Sequence, residues 1–131
     1  MMINPYYIDM LCSDKFATYK LFKEYVPLSV MVHNGGQLVR CLKKVRTDKV
    51  VLKPEFGSSA VGVKILDKDK ALKSNFNVKK NTILQEFITC KRKKSFGKFG
   101  VYDLRIVVCN GKIIDQLYRV SLEGVLTSNI A

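Results

Sequence analysis

The apolar run Val50-Val51-Leu52 ends in Lys53-Pro54, and a loop of mostly small residues follows at Gly57-Ser58-Ser59-Ala60-Val61-Gly62. A lysine at the end of a buried strand is costly unless its charge meets an anion. Glycine and serine let backbone N–H groups come close to such an anion, a phosphate above all. The run is not a P-loop, which needs Gly-Lys-[Ser/Thr] at its end, whereas Gly62 is followed by Val63. Nor is it G-x-G-x-x-G, because Gly57 and Gly62 stand too far apart and Ser59 fills the middle. Taken alone, the segment reads equally well as a plain hairpin turn with a surface lysine.

The elements that would position these residues follow from periodicity. Asp14 to Tyr25 reads as a helix with Asp14 as N-cap and Ala17, Leu21, Phe22 and Tyr25 on one face. Leu28 to Val32 reads as a strand. Asn34-Gly35-Gly36 turns into a second helix with Leu38, Cys41, Leu42 and Val45 inward and Arg40, Lys43, Lys44 and Arg46 outward. Val50 to Lys53 and Val63 to Ile65 then form a hairpin around the small-residue loop. A short helix over Asp67 to Ser74 and a strand over Ile83 to Ile88 come next. Lys91-Arg92-Lys93-Lys94 with Ser95, Gly97, Lys98 and Gly100 reads as a mobile basic loop. Two strands, Val101 to Val108 and Lys112 to Val120, are joined by Asn110-Gly111, a strong tight-turn signal. The pattern is α+β, helices first and antiparallel strands later.

With these segments in place, Lys53-Pro54-Glu55-Phe56-Gly57-Ser58-Ser59-Ala60-Val61-Gly62-Val63 resembles the Lys-Pro-x-x-Gly-Ser-x-x-x-Gly-Val run of ATP-grasp enzymes. That superfamily uses ATP to activate a carboxylate and join it to an amine. Asp14-Lys15 resembles the pair that opens the family's first helix. Leu84-Gln85-Glu86-Phe87-Ile88 resembles the strand linking its two subdomains. Tyr102-Asp103-Leu104-Arg105-Ile106, Tyr118-Arg119-Val120-Ser121 and Thr127-Ser128-Asn129 resemble successive segments of its larger subdomain. The Gln-Glu-Phe-Ile and Asp-Leu-Arg combination is most similar to the branch of ribosomal-protein glutamate ligases and glutathione synthetases.

The resemblance implies an ATP-grasp fragment: a small N-terminal subdomain over 1–88, with an antiparallel sheet and two helices, and the start of a C-terminal subdomain over 89–131. It implies that Lys15 and Lys53 meet the ATP phosphates and that Gly57, Ser58, Ser59 and Gly62 fold over them. The backbone of Gln85, Glu86, Phe87 and Ile88 would read the adenine edge. Arg119 and Arg105 would be catalytic, Arg119 facing the transferred phosphoryl group, and Asn129 would lie near the acceptor substrate. The family's Mg²⁺ ligands, an Asp and a Glu-x-Asn pair, are expected beyond Ala131, so no metal ligand is expected within this chain. The expected function is the ATP-binding segment of a carboxylate–amine or thiol ligase that works through an acyl phosphate, inactive by itself. Blander readings stand beside these. Asp103 and Arg105 share a strand face and also read as a structural ion pair. Lys15 also reads as a helix-surface lysine, Arg119 as lining a solvated sheet face, and Glu86 as a surface carboxylate. Gln85 also reads as a strand residue touching no ligand.

Composition bounds the alternatives. In 131 residues, 23 Lys+Arg against 11 Asp+Glu give a net charge of +12. That charge suits anionic partners or a lysine-rich soluble surface. A non-catalytic module binding nucleic acid or an acidic partner through Lys91 to Lys94 with Phe96 and Phe99 is the competing reading; nucleic acid is not the expected partner. Cys12, Cys41, Cys90 and Cys109 form no C-x-x-C and the one histidine is His33, so zinc is not expected and the cysteines read as small buried hydrophobes. With no signal peptide and no run of about 20 apolar residues, a cytoplasmic protein with no membrane partner is expected.

Overall fold

The computed structural model describes residues 4–73, 78, 81–89, 93–95, 98–100 and 102–120, with the backbone alone for 93–95, 98–100, 102 and 120. The chain divides into two compact units, Met1–Ile88 and Thr89–Ala131.

In the first unit, helices α1 (Tyr6–Ser13) and α2 (Lys15–Leu21) meet at Asp14. The Asp14 carboxylate accepts the N–H groups of Phe16 and Ala17, each at 2.9 Å, and so answers two donors that a helix start leaves open. The helix ends at Leu21 instead of Tyr25, because Leu21, Phe22 and Tyr25 are all exposed and offer no buried face to extend it. Helix α1 has no counterpart in the elements expected from periodicity. None of its residues is buried, so no apolar stripe marks it, and it starts behind Pro5, whose carbonyl takes the Ile8 N–H.

Strands β1 (Ser29–Val32), β2 (Lys49–Pro54), β3 (Lys64–Asp67) and β4 (Thr82–Glu86), with helices α3 (Gly35–Leu42) and α4 (Lys68–Lys73) between them, complete the unit. The four strands form one sheet in the order β1-β4-β2-β3, every neighbouring pair antiparallel. Asn34 caps α3 by accepting the Gln37 N–H, and Gln37 in turn accepts the His33 N–H, close to a reciprocal capping box.

Register decides which side chains share a face. Val32, Val50, Leu52 and Leu84 point to one side and pack with Leu38, Leu42 and Val45 around α3 and with Ala71 of α4. Each fully buried aliphatic side chain here is worth about 1.5–3 kcal/mol of burial. The opposite side carries Ser29, Val51, Lys53, Ile83 and Gln85.

The second unit contains β5 (Lys93–Ser95) paired with β6 (Lys98–Gly100), and β7 (Tyr102–Cys109) paired with β8 (Lys112–Val120), both antiparallel. The first pair stands where a loop was expected. Its backbone ladder holds it in a composition of lysines and glycines that are poor strand formers, so the sequence concealed it. In the second pair Asn110 at φ 47° and Gly111 at φ 73° make the turn, as that dipeptide implies.

The α+β class holds, with four helices among the described residues, where the resemblance implied two and the residue pattern three; α1 is the addition. The cysteines depart from expectation: Cys12 and Cys109 are exposed and Cys41 is half-buried, while Cys90 lies outside the described residues. Cys12 on α1 and Cys109 at a hairpin end stand outside the core, while Cys41 on α3 packs against its edge. No helix among the described residues is long and apolar enough to cross a membrane.

Candidate functional site

At the exit of β2 the chain turns through Glu55 and Phe56 into the loop 57–62. Gly57 sits at φ 118° and Gly62 at φ 75°, both in backbone conformations that L side chains rarely adopt. At Gly62 space adds a second demand, because a Cβ there would lie 3.3 Å from Cδ of Pro54. Pro54 and Gly62 thus pack across the loop's base. Between them Ser59 (φ 53°) and Ala60 (φ 59°) are also left-handed, and the turn is closed by Val61 N–H donating to the Ser58 carbonyl at 3.1 Å. Non-glycine residues in that region cost about 1–2 kcal/mol each. Apart from Val61, no N–H of residues 57–62 has a hydrogen-bond partner among the described residues.

Lys15, at the start of α2, reaches this loop. Its backbone N–H donates to the Glu55 carbonyl at 3.3 Å. Its ammonium donates to the same carbonyl at 3.2 Å and to the Gly57 carbonyl at 2.7 Å. One cation therefore clasps both sides of the loop's entry, and with Cys12, Ser13, Phe56, Gly57 and Ser58 it lines a cavity of about 420 Å³.

Lys53 is half-buried on the sheet face away from the core. Its ammonium donates to the Gln85 side-chain carbonyl at 2.8 Å. Burial, and then the charge of Lys15, push the Lys53 ammonium below the usual lysine range. The two lysines, 38 positions apart, feel each other at one end of β2. A desolvated cation beside a second cation gains from an incoming anion, which would relieve both terms.

Other expected site residues are placed differently. The Glu86 side chain accepts the Arg46 N–H at 2.8 Å, so it is tied into the fold and is not a free surface carboxylate. The N–H groups of Glu86 and Phe87 are committed to the Leu28 and Lys49 carbonyls, which removes them as donors to an adenine edge. Ile88 is exposed and its N–H has no partner among the described residues. Gln85 joins Lys53 to Ser29, with its Nε2 donating to Ser29 Oγ at 2.7 Å. Ser29 and the Glu55 carbonyl were not expected at the site. A serine inside an apolar strand is a weak signal for Ser29, but nothing in the sequence says that it faces Gln85.

In the second unit, Arg119 lies directly across the ladder from Asp103. Its Nε donates to Oδ1 at 3.0 Å, and its Nη2 bonds Oδ2. Asp103 thus pairs with Arg119 and not with Arg105, because cross-strand neighbours stand closer than residues two apart on one strand. Asp103 raises the Arg119 pKa above its ordinary value. Arg105 sits opposite Leu117 and is exposed. Asn129, Thr127 and Ser128 lie outside the described residues, as do Lys91, Arg92 and Phe96.

Among the described residues no three His, Cys, Asp or Glu side chains gather to hold a metal ion. The arrangement in the first unit is one that can grip an anion: two cations, unpaired loop donors and a cavity beside them. Comparison with protein families finds that the model of the RimK-like ATP-grasp domain matches residues 12–131. Comparison with curated protein sequences finds no match.

Proposed function

This chain belongs to the RimK-like ATP-grasp family, and from that premise we propose that Lys15, Lys53 and the loop 57–62 bind the phosphates of ATP for a ligase that activates a carboxylate as an acyl phosphate. The family match makes the chain an ATP-binding module of the ATP-grasp ligase type. The assignment of residues rests on one observation: the Lys15 ammonium holds the Glu55 and Gly57 carbonyls at the entry of a loop that follows Lys53-Pro54 and whose backbone donors are open.

In this reading Lys53 is a point charge for a phosphate oxygen, and Ser58, Ser59 and their glycine neighbours supply backbone N–H groups. Lys15 has two tasks, since its ammonium already holds the loop entry at Glu55 and Gly57. A phosphate in the cavity would meet the face of that ammonium not turned to the carbonyls. For the adenine edge, Ile88 offers the donor of its segment, because Glu86 and Phe87 have theirs committed. Phosphoryl transfer is promoted mainly by such positioning and charge stabilisation. The carboxylate oxygen attacks the γ-phosphorus, the bond to the bridging oxygen breaks, and ADP leaves. An amine nitrogen then attacks the acyl carbon and phosphate departs. Arg119 is the second unit's candidate for the transferred phosphoryl group, and Asp103 would have to share it. The family's chemistry implies Mg²⁺, whose oxygen ligands would come from outside the described residues, since no three His, Cys, Asp or Glu side chains gather among them.

Calorimetric titration of the chain with ATP tests the assignment. Lys53→Ala is expected to lose about 2–4 kcal/mol of binding, and Lys15→Ala a comparable amount. Lys93→Ala is expected to leave binding unchanged. Undiminished ATP affinity in Lys53→Ala would overturn the phosphate role. Loss in Lys93→Ala, with binding to single-stranded nucleic acid that falls steeply with salt, would favour the basic-module reading.

A further inference from the structure

A chain of hydrogen bonds crosses the sheet beneath Lys53. Lys53 Nζ donates to Gln85 Oε1 at 2.8 Å, Gln85 Nε2 donates to Ser29 Oγ at 2.7 Å, and Ser29 Oγ donates to the Pro27 carbonyl at 3.1 Å. Ser29 is the buried polar residue among the described residues of the unit, at 4% exposure. It stands directly opposite Gln85 in the β1–β4 register.

The polarity of this chain is forced from both ends. An ammonium has only donors, so the Gln85 atom facing Lys53 must be the carbonyl oxygen. At the other end the Pro27 carbonyl only accepts, so the single Ser29 hydroxyl proton is directed there. What Ser29 turns to Gln85 is a lone pair, and the Gln85 atom facing it must be the NH₂ group. The two constraints agree, and no second arrangement of the amide satisfies both. A flipped amide would set an NH₂ against the ammonium and a carbonyl oxygen against a hydroxyl whose proton is already engaged.

We propose that Ser29 is a positioning residue for Lys53: by fixing the Gln85 amide, it holds an acceptor on the Lys53 ammonium and so fixes where that charge is presented to a phosphate. Ser29 touches no phosphate itself. The proposal rests on the reading of Lys53 as a phosphate-binding lysine, and deepens it. Lys53 needs such an acceptor, since burial and Lys15 both disfavour its charge and the Gln85 dipole opposes them.

The test combines calorimetric ATP titration with an NMR titration of the Lys53 side chain, in wild type, Ser29→Ala, Gln85→Met, their double variant and Ser29→Thr. Ser29→Ala and Gln85→Met are each expected to weaken ATP binding by about three- to tenfold and to move the Lys53 titration to lower pH. The double variant is expected to lose no more than either single one, because both cut the same chain. Ser29→Thr keeps the hydroxyl and is expected to restore both readouts. Should Ser29→Ala fail to fold, Ser29→Cys, with its weaker acceptor, is expected to shift Lys53 in the same direction. An unmoved Lys53 titration in the Ser29 variants, or additive losses in the double one, overturns the proposal. ATP binding that survives Lys53→Ala overturns the phosphate reading instead, while the NMR titration still judges the hydrogen-bond chain.

Discussion

The two units each hold a cation and turn a hairpin, and they do both in opposite ways. Lys53 in the first unit is half-buried and its partner is the neutral amide of Gln85, so its charge has no counter-charge there and its pKa is pushed down. Arg119 in the second unit is gripped by the Asp103 carboxylate through two bonds and its pKa is pushed up. A desolvated charge without an opposite partner gains most from an arriving anion; a charge already paired gains less. The turns differ likewise. The second unit uses Asn110-Gly111 in open space, the inexpensive choice for simple chain reversal. The first places Ser59 and Ala60 in left-handed conformations and packs Gly62 on Pro54. Backbone strain of this kind collects at ligand sites.

The largest effect expected from this contrast is on the turns. Gly62→Ala should lower stability by about 2 kcal/mol, combining the left-handed cost with a Cβ 3.3 Å from Pro54. Gly111→Ala should cost only about 1 kcal/mol, the conformational part alone. Urea unfolding curves measure both, and equal losses would remove the Pro54 contact from the account. Next comes pH. As pH rises through the lowered Lys53 pKa the ammonium is lost, so ATP affinity should begin to fall below 10.5, by up to about tenfold per pH unit. Folding stability should move the other way: between the lowered value and 10.5 the unfolded chain binds more protons at this residue, so stability rises with pH. Both trends should vanish in Lys53→Met; a fall in affinity that persists there would trace to another group. The smallest effect belongs to Asp103→Asn. Both partners of that pair are partly exposed and solvent screens them, so the thermal midpoint should barely move, while the Arg119 Nε resonance should start to respond to added inorganic phosphate. A large loss of stability would show that the pair carries the β7–β8 hairpin.

Much of the fold was legible where local rules act alone. Asp14 as a cap, Asn110-Gly111 as a turn and the apolar run Val50 to Leu52 as a strand each follow from a few adjacent residues. Helix α1 was illegible because it buries nothing, and the β5–β6 pair because its lysines and glycines argue against strands. The site was half legible. Lys53 and the loop 57–62 were marked by residue type and spacing, Lys15 only by the resemblance. The commitments of Glu86 and Phe87, the clasp of Lys15 on two carbonyls, and the pairing of Asp103 with Arg119 did not.

The sequence by itself determined which residues could serve an anion and where the apolar strands run, because charge, glycine content and periodicity are properties of short stretches. Only the tertiary structure decided partners. Strand register sets Ser29 opposite Gln85 and Asp103 opposite Arg119, and a shift of one residue would turn each side chain to the other face. The first of these registers depends on the four-stranded sheet packing against α3 and α4, and no local pattern encodes it.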